Sequence, residues 1–177
     1  MGLDSGTHTL GPGDGTLTVL TGKGGAAAKA GHNLVIEVTR WSAKVEVEEG
    51  ISMALMADPR SLRVVDGSGG ISPLGDEEKA GISQTIDEEV LKGGNISYRS
   101  SAVTVRYGGY DVEGELDLLG VRAPLSFSLS VDGNRLTGSA QVKQTDWKIK
   151  PYSALFGTLK VADVVEISID ATLPKGT

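Results

Sequence analysis

The chain has 177 residues, ordinary apolar and charged fractions of 39% and 23%, and a net charge of −6 with a pI near 4.9. That is enough chain to bury one sizeable core, and the acidic balance argues against a nucleic-acid backbone or an anionic membrane surface as the main partner. The absence of cysteine excludes disulfides, thiolate catalysis and cysteine-based metal sites.

Met1 to Gly13 is rich in glycine and polar residues and reads as a loose N-terminal segment, residues 1–13, ahead of a single domain over 14–174. Its first residues carry neither a basic n-region nor an apolar h-region, so no signal peptide is predicted and a cytoplasmic location is expected. No run approaches the roughly 18 apolar residues of a membrane span, so no stable membrane insertion is expected. Gly15 to Thr21 alternates as a first strand, and Ala26 to Ala30 reads as a short helical piece. His32 to Thr39 puts Leu34, Ile36 and Val38 on one face. Trp41, Ala43, Val45 and Val47 then share a face against Ser42, Lys44, Glu46 and Glu48. Ser52–Ala57 and Leu62–Val65 are two further strands, with Asp58-Pro59 and Asp66-Gly67 as turns. Asp76 to Lys92 is the one predicted amphipathic helix. Asp76, Glu77 and Glu78 suit its N-terminal dipole, Ile82, Ile86 and Val90 line one face, and Gly93-Gly94 stops it.

Five long strands follow: Ile96–Arg106, Tyr110–Leu119, Ala123–Val131, Arg135–Thr145 and Val164–Leu173. Each is about ten residues, against a usual five or six, and would reach ~33 Å. An open edge of that length invites aggregation, so strands this tall favour closure into a barrel. The predicted fold is all-β: an extended antiparallel, eight-stranded, lipocalin-like β-barrel with one amphipathic helix covering an end.

Two turns carry distinctive wording: Leu118-Leu119-Gly120-Val121-Arg122-Ala123-Pro124-Leu125, and Gln144-Thr145-Asp146-Trp147-Lys148-Ile149-Lys150-Pro151-Tyr152-Ser153. A final Asp163-Val164-Val165-Glu166-Ile167-Ser168-Ile169 strand follows them, and Gly31-His32-Asn33-Leu34 with Trp41-Ser42-Ala43-Lys44-Val45 precedes them. This ordered set, over roughly Leu17 to Leu173, resembles the YceI-like family. The resemblance implies a lipocalin-like barrel that binds a polyisoprenoid or related long-chain lipid in its interior, an isoprenoid quinone among the candidates. It implies no enzyme and no other cofactor. Many members are exported, unlike the location expected here, and homodimers are common among them.

Alternation along the strands sets an inward apolar lining of Leu34, Ile36, Trp41, Val45, Met53, Leu55, Leu116, Leu118, Phe127, Leu129, Val165 and Ile167. Tyr98, Trp147, Tyr152 and Phe156 are further aromatic candidates. Met53 and Met56 suit an irregular cavity, and Ala43, Ala57, Gly138 and Ala140 would leave room in it. His32, Arg40, Arg99 and Lys150 are head-group candidates at the mouth. His8 reads as part of the loose N-terminus, and two histidines without ligand spacing make no zinc site. Gly22 to Ala27 fits G-x-G-x-x-A but lacks the helix and parallel strand of a nucleotide fold, and reads as a loop. Asp111, Glu113, Glu115 and Asp117 alternate on one face and read as a solvated wall rather than a glycosidase pair. No Gly-x-Ser-x-Gly elbow is present. Taken with these residues, the resemblance implies non-catalytic lipid binding first. A side-chain-filled barrel acting as a protein-interaction module comes second, and an enzyme acting on a lipid third.

Overall fold

The computed structural model describes residues 5–24, 32–69, 75–85, 94–149, 153–154 and 159–173. Its strands are β1 (Gly6–Leu10), β2 (Gly15–Gly24), β3 (His32–Val38), β4 (Trp41–Val47), β5 (Ile51–Ala57), β6 (Leu62–Gly69), β7 (Ile96–Arg106), β8 (Gly109–Leu118), β9 (Val121–Asp132), β10 (Arg135–Lys143), β11 (Ser153–Ala154) and β12 (Leu159–Thr172), and its helix is α1 (Asp76–Thr85). The strands form one antiparallel sheet in the order β1-β4-β5-β7-β8-β9-β10-β12-β2-β3-β6, with β11 added beside β12.

The sheet curls because one ribbon bends without unpairing. β3 pairs β6 as far as Val38 with Leu62, and β4 pairs β5 from Trp41 with Ala57. At the bend the Thr39 N–H donates to the Ser61 carbonyl and the Asp58 N–H to the Arg40 carbonyl. β3 and β4 are thus one bent strand, joined to β2 at one end and, through β5, to β7 at the other. The strand count thus exceeds the eight expected; with each bent strand counted once, the wall is β2, β3–β4, β5–β6, β7, β8, β9, β10 and β12. The count of twelve segments comes from the two bends and from two short additions, β1 and β11.

β1 corrects the expectation of a loose N-terminus, since Gly6 to Leu10 pairs in register with Val47 to Ala43 of β4. His8 is buried within it at 6% exposure. β2 also extends through Gly24, so the start of the glycine-rich stretch is strand, while Ala26 to Ala30 lies outside the described residues.

Period-two alternation decides which side chains form the core. On β8, Tyr110, Val112, Gly114, Leu116 and Leu118 are buried while Asp111, Glu113 and Glu115 are exposed. β8 and β9 meet in a two-residue turn in which Leu119 (φ 57°) and Gly120 (φ 86°) both take left-handed backbone. Such turns match the right-handed twist of a hairpin. A leucine is costly there, and its side chain packs against the core.

α1 lies against β6, the edge strand. The Ser83 hydroxyl accepts a hydrogen bond from the Val64 N–H (2.9 Å) and donates to the Lys79 carbonyl (2.9 Å). The helix thereby supplies an acceptor to an edge that otherwise invites strand addition. Ile82 packs on the core as expected, and Ile86 and Val90 lie outside the described residues. Ser83→Ala leaves the buried Val64 N–H unpaired and should cost about 1–3 kcal/mol in urea denaturation, with faster amide exchange at Val64. An unchanged midpoint would show that α1 does not protect this edge.

Candidate functional site

The inner face of the wall is the site that the alternation builds. Leu34, Ile36, Trp41, Val45, Met53, Tyr98, Leu116, Leu118, Leu129 and Trp147 are buried in one apolar cluster, and Leu55, Phe127, Val165 and Ile167 pack against it half-buried. Ala43 and Ala57 also pack on this cluster. Met56 differs: it stands on the outer face of β5 at 66% exposure, because Met53, Leu55 and Ala57 take the inward positions. Sequence reasoning omitted Tyr110, Leu136 and Val142, each at most 4% exposed, from the inward lining. Stepping by two from Leu116, or by two from Gly138 and Ala140, would have found them.

The interior is not sealed evenly. Tyr110, Val112 and Leu10 are at 1% exposure, whereas the inward residues Ala123, Leu125 and Phe127 of β9 and Val165, Ile167 and Ile169 of β12 stay half-buried. The same region contains a seam. β10 pairs β9 only from Arg135 with Asp132 to Ser139 with Ser128, while β9 runs on along β8 to Val121 and β10 runs on along β12 to Lys143. Residues 121–127 therefore have a strand partner on one side only. Pro124, which has no N–H to leave unpaired, falls in this stretch.

Two side chains reach backbone carbonyls around the seam. The Tyr98 hydroxyl donates to the Leu125 carbonyl (2.9 Å), and the ring packs at 5.2 Å and a 54° tilt on Phe127. It passes over Gly114, where a Cβ would come within 2.6 Å of the phenol oxygen. Burial, with Glu113 adding to it, pushes the Tyr98 phenol up to about 12. The second side chain is Trp147, at the end of the 3-10 turn Gln144–Trp147 that leaves β10. At 3% exposure, its indole N–H donates to the Leu116 carbonyl of β8 (2.7 Å). Leu116 pairs with the small Ala123 of β9, so the indole bridges the seam at that level.

This turn is strapped to β12. The Asp163 carboxylate accepts from the Thr145 hydroxyl (2.6 Å) and the Thr145 N–H (2.9 Å), and the Gln144 side-chain amide donates to the Ala162 carbonyl (3.1 Å). The Thr145 hydroxyl bond chiefly holds the Asp163 carboxyl below its usual range.

The head-group candidates do not gather at one mouth. Arg40 points out at the ribbon bend and pairs with Asp58 at 2.9 Å. Arg99 lies outside as well, because its neighbour Tyr98 takes the inward position. With Ser97, Glu115, Asp117 and Arg122 it lines an outer cavity of about 180 Å³. Neither arginine is placed to meet a ligand head inside the barrel. His32 opens β3 opposite Gly69, and its side chain, with Lys150, Tyr152 and Phe156, lies outside the described residues. The carboxylates of β8 form the solvated face expected of them. Asp111 pairs with Arg106 (3.1 Å) and accepts from the Ser128 hydroxyl (2.7 Å), and Asp117 pairs with Arg122 (3.3 Å). Among the described residues no group of His, Asp and Glu is placed to hold a metal ion, and no helix is long and apolar enough to cross a membrane.

Two outcomes follow from this geometry. In a phenolate absorbance titration, Tyr98 should ionise only near pH 12, and Tyr98→Phe should remove that amplitude. Tyr98 stabilises the fold fully below its unfolded value of about 10, and that contribution is lost as pH rises through about 12. For the strap the sign is opposite. A depressed carboxyl contributes stability above its unfolded pKa and loses it as pH falls through the lower native value. In a Trp41→Phe background, Trp147 emission should shift on acidification below the usual carboxylate range, and Asp163→Ala should give that emission already at neutral pH. An Asp163→Ala spectrum identical to the parent would show that the strap does not hold Trp147.

The YceI-like domain profile matches residues 83–173. The fold is similar to the crystal structure of Burkholderia cenocepacia BcnA, at 16% identity and TM-score 0.64, over 88% of this chain and 94% of that one. It is also similar to a mutant CJ YCEI protein crystallised with a monobromobimane guest, at 10% identity and TM-score 0.58, over 80% of this chain and 85% of that one. No curated protein matches the chain. A profile match over half the sequence, carried on a curled antiparallel barrel with this interior, makes the chain a member of the YceI-like family.

Proposed function

We propose that this chain is a non-catalytic carrier that sequesters a polyisoprenoid, such as an isoprenoid quinone, or a similar long-chain lipid inside the barrel. The observation that carries the reading is the inner face of β9 and β12, where Leu125, Phe127, Val165 and Ile167 face in yet stay partly accessible. Apolar side chains that a fold turns inward and does not seal provide a surface for hydrocarbon. Burying one CH₂ is worth ~0.8 kcal/mol, so a five-carbon isoprene unit offers roughly 3–4 kcal/mol gross. A few units suffice for tight binding after the ordering costs.

The distribution of polar groups supports binding over chemistry. Among the described residues the buried titratable side chains are His8, Tyr98 and Tyr110, and no carboxylate is buried with them. Tyr98 is occupied by the Leu125 carbonyl. General acid–base work requires convergent titratable groups.

Native mass spectrometry followed by organic extraction tests the reading. A stoichiometric apolar adduct is expected, released on denaturation and lost in Phe127→Glu or Leu118→Asp variants that still unfold cooperatively. A bare protein that also fails to take up added isoprenoid quinone would overturn it and leave a barrel that acts through its outer surface.

A further inference from the structure

The interior's polar atoms are almost all spoken for. The Trp147 N–H holds the Leu116 carbonyl, the Thr21 hydroxyl accepts from the Leu34 N–H (3.2 Å), and Ser61, Ser83 and Gln144 each bond to backbone. Among the described residues, one buried side-chain nitrogen or oxygen has no hydrogen-bond partner: Trp41 Nε1. Buried donors are nearly always paired, so an orphan calls for a reason.

Trp41 is 6% exposed and faces the core at the start of β4, just past the ribbon bend. Its cross-strand partner is Ala57, which pairs in turn with Ile96, and Ile96 with Leu118. The side chains of Ala57, Ile96 and Leu118 at that level are aliphatic and carry no acceptor. The flanking Arg40 and Ser42 are exposed, and Arg40 is engaged with Asp58. The residue opposite the indole is an alanine, whose side chain brings no polar atom to it.

We propose that Trp41 Nε1 is an interior hydrogen-bond donor to the bound lipid, and that it selects ligands carrying a neutral acceptor oxygen, such as a ketone, quinone carbonyl, ester or ether, over pure hydrocarbon. The inference rests on the carrier reading. One donor in apolar surroundings satisfies one neutral oxygen. A charged headgroup at the same depth would require several donors or a countercharge to offset its desolvation.

The chain's two tryptophans make the test direct. Protein labelled with ¹⁵N at tryptophan gives two indole N–H signals, assigned by Trp41→Phe. A long-chain methyl ketone should move the Trp41 proton downfield, and the alkane of the same length should not. Trp147, already bonded to Leu116, should respond weakly to both. The wild type should prefer the ketone about three- to tenfold, and Trp41→Phe should bring the two affinities together. If both ligands bind equally and the Trp41 signal ignores the ketone, the inference fails while the carrier reading stands. A Trp41 proton already downfield and slowly exchanging without ligand would assign it to a buried water and also overturn the inference. If neither ligand binds, the carrier reading itself fails.

Discussion

The bend in the β3–β4 and β5–β6 ribbon is what the rest of the molecule depends on. A flat antiparallel sheet of this size would present two long edges. Here the two halves of the sheet meet through one pair of strands that changes direction at Thr39-Arg40 and Asp58–Ser61 while keeping its backbone bonds. The bend is dense in polar contacts. The Ser61 carbonyl accepts from the Thr39 N–H and from its hydroxyl (2.8 Å), and the buried Ser61 hydroxyl lies 2.7 Å from the Asp58 carbonyl it donates to. Asp58 caps the 3-10 turn Pro59–Ser61 through the Arg60 N–H and pairs with Arg40. Arg40 therefore works on the fold's closure, and the closure is what gives the wall an inside.

Once there is an inside, the alternation fills it, and the seam between β9 and β10 prevents it from filling evenly. β8 is paired along its whole length and its inward residues are fully buried. β9 loses one partner beyond Ser128, and its inward residues beyond that point are half-buried. Tyr98 and Trp147 reach backbone carbonyls across this region without closing the wall into a ladder. The half-buried part of the interior is thus bordered by two aromatic side chains, Tyr98 of β7 and Trp147 of the 3-10 turn, where β9 and β10 no longer pair.

The wall was legible in the sequence because period two leaves a signature that needs no long-range information. Leu116 and Leu118 inward with Glu115 and Asp117 outward could be read directly, as could the ten-residue strands that argue for closure. The same rule shows why two of the head-group candidates, Arg40 and Arg99, turn outward. Tyr98 and Arg99 are neighbours, as are Arg40 and Trp41, and adjacent residues on a strand cannot both face in. What the sequence could not reveal is side chain to backbone bonding across the chain. Trp147 to the Leu116 carbonyl, Ser83 to the Val64 N–H and Thr145 to Asp163 span 31, 19 and 18 residues. A backbone acceptor is the same atom at every residue, so it leaves no mark on residue type. β1 escaped for a related reason: five residues beside glycines show too few alternations to stand out, and its partner β4 lies more than thirty residues away.

The two tryptophans show how differently one side chain can serve such an interior. An indole brings a large apolar surface and one donor, and the donor costs free energy wherever it is buried without an acceptor. Trp147 meets that demand within the protein, so its contribution is to the closure of the wall. Trp41 does not, and its partner across the strand is an alanine rather than a side chain with an oxygen. A phenylalanine at that position would fill part of the same volume without burying a donor, so filling the wall alone does not call for the indole N–H. Among the described residues the other buried side-chain polar atoms are paired, so the unmet donor at Trp41 is the one point on the inner face where an acceptor brought from outside would gain a hydrogen bond.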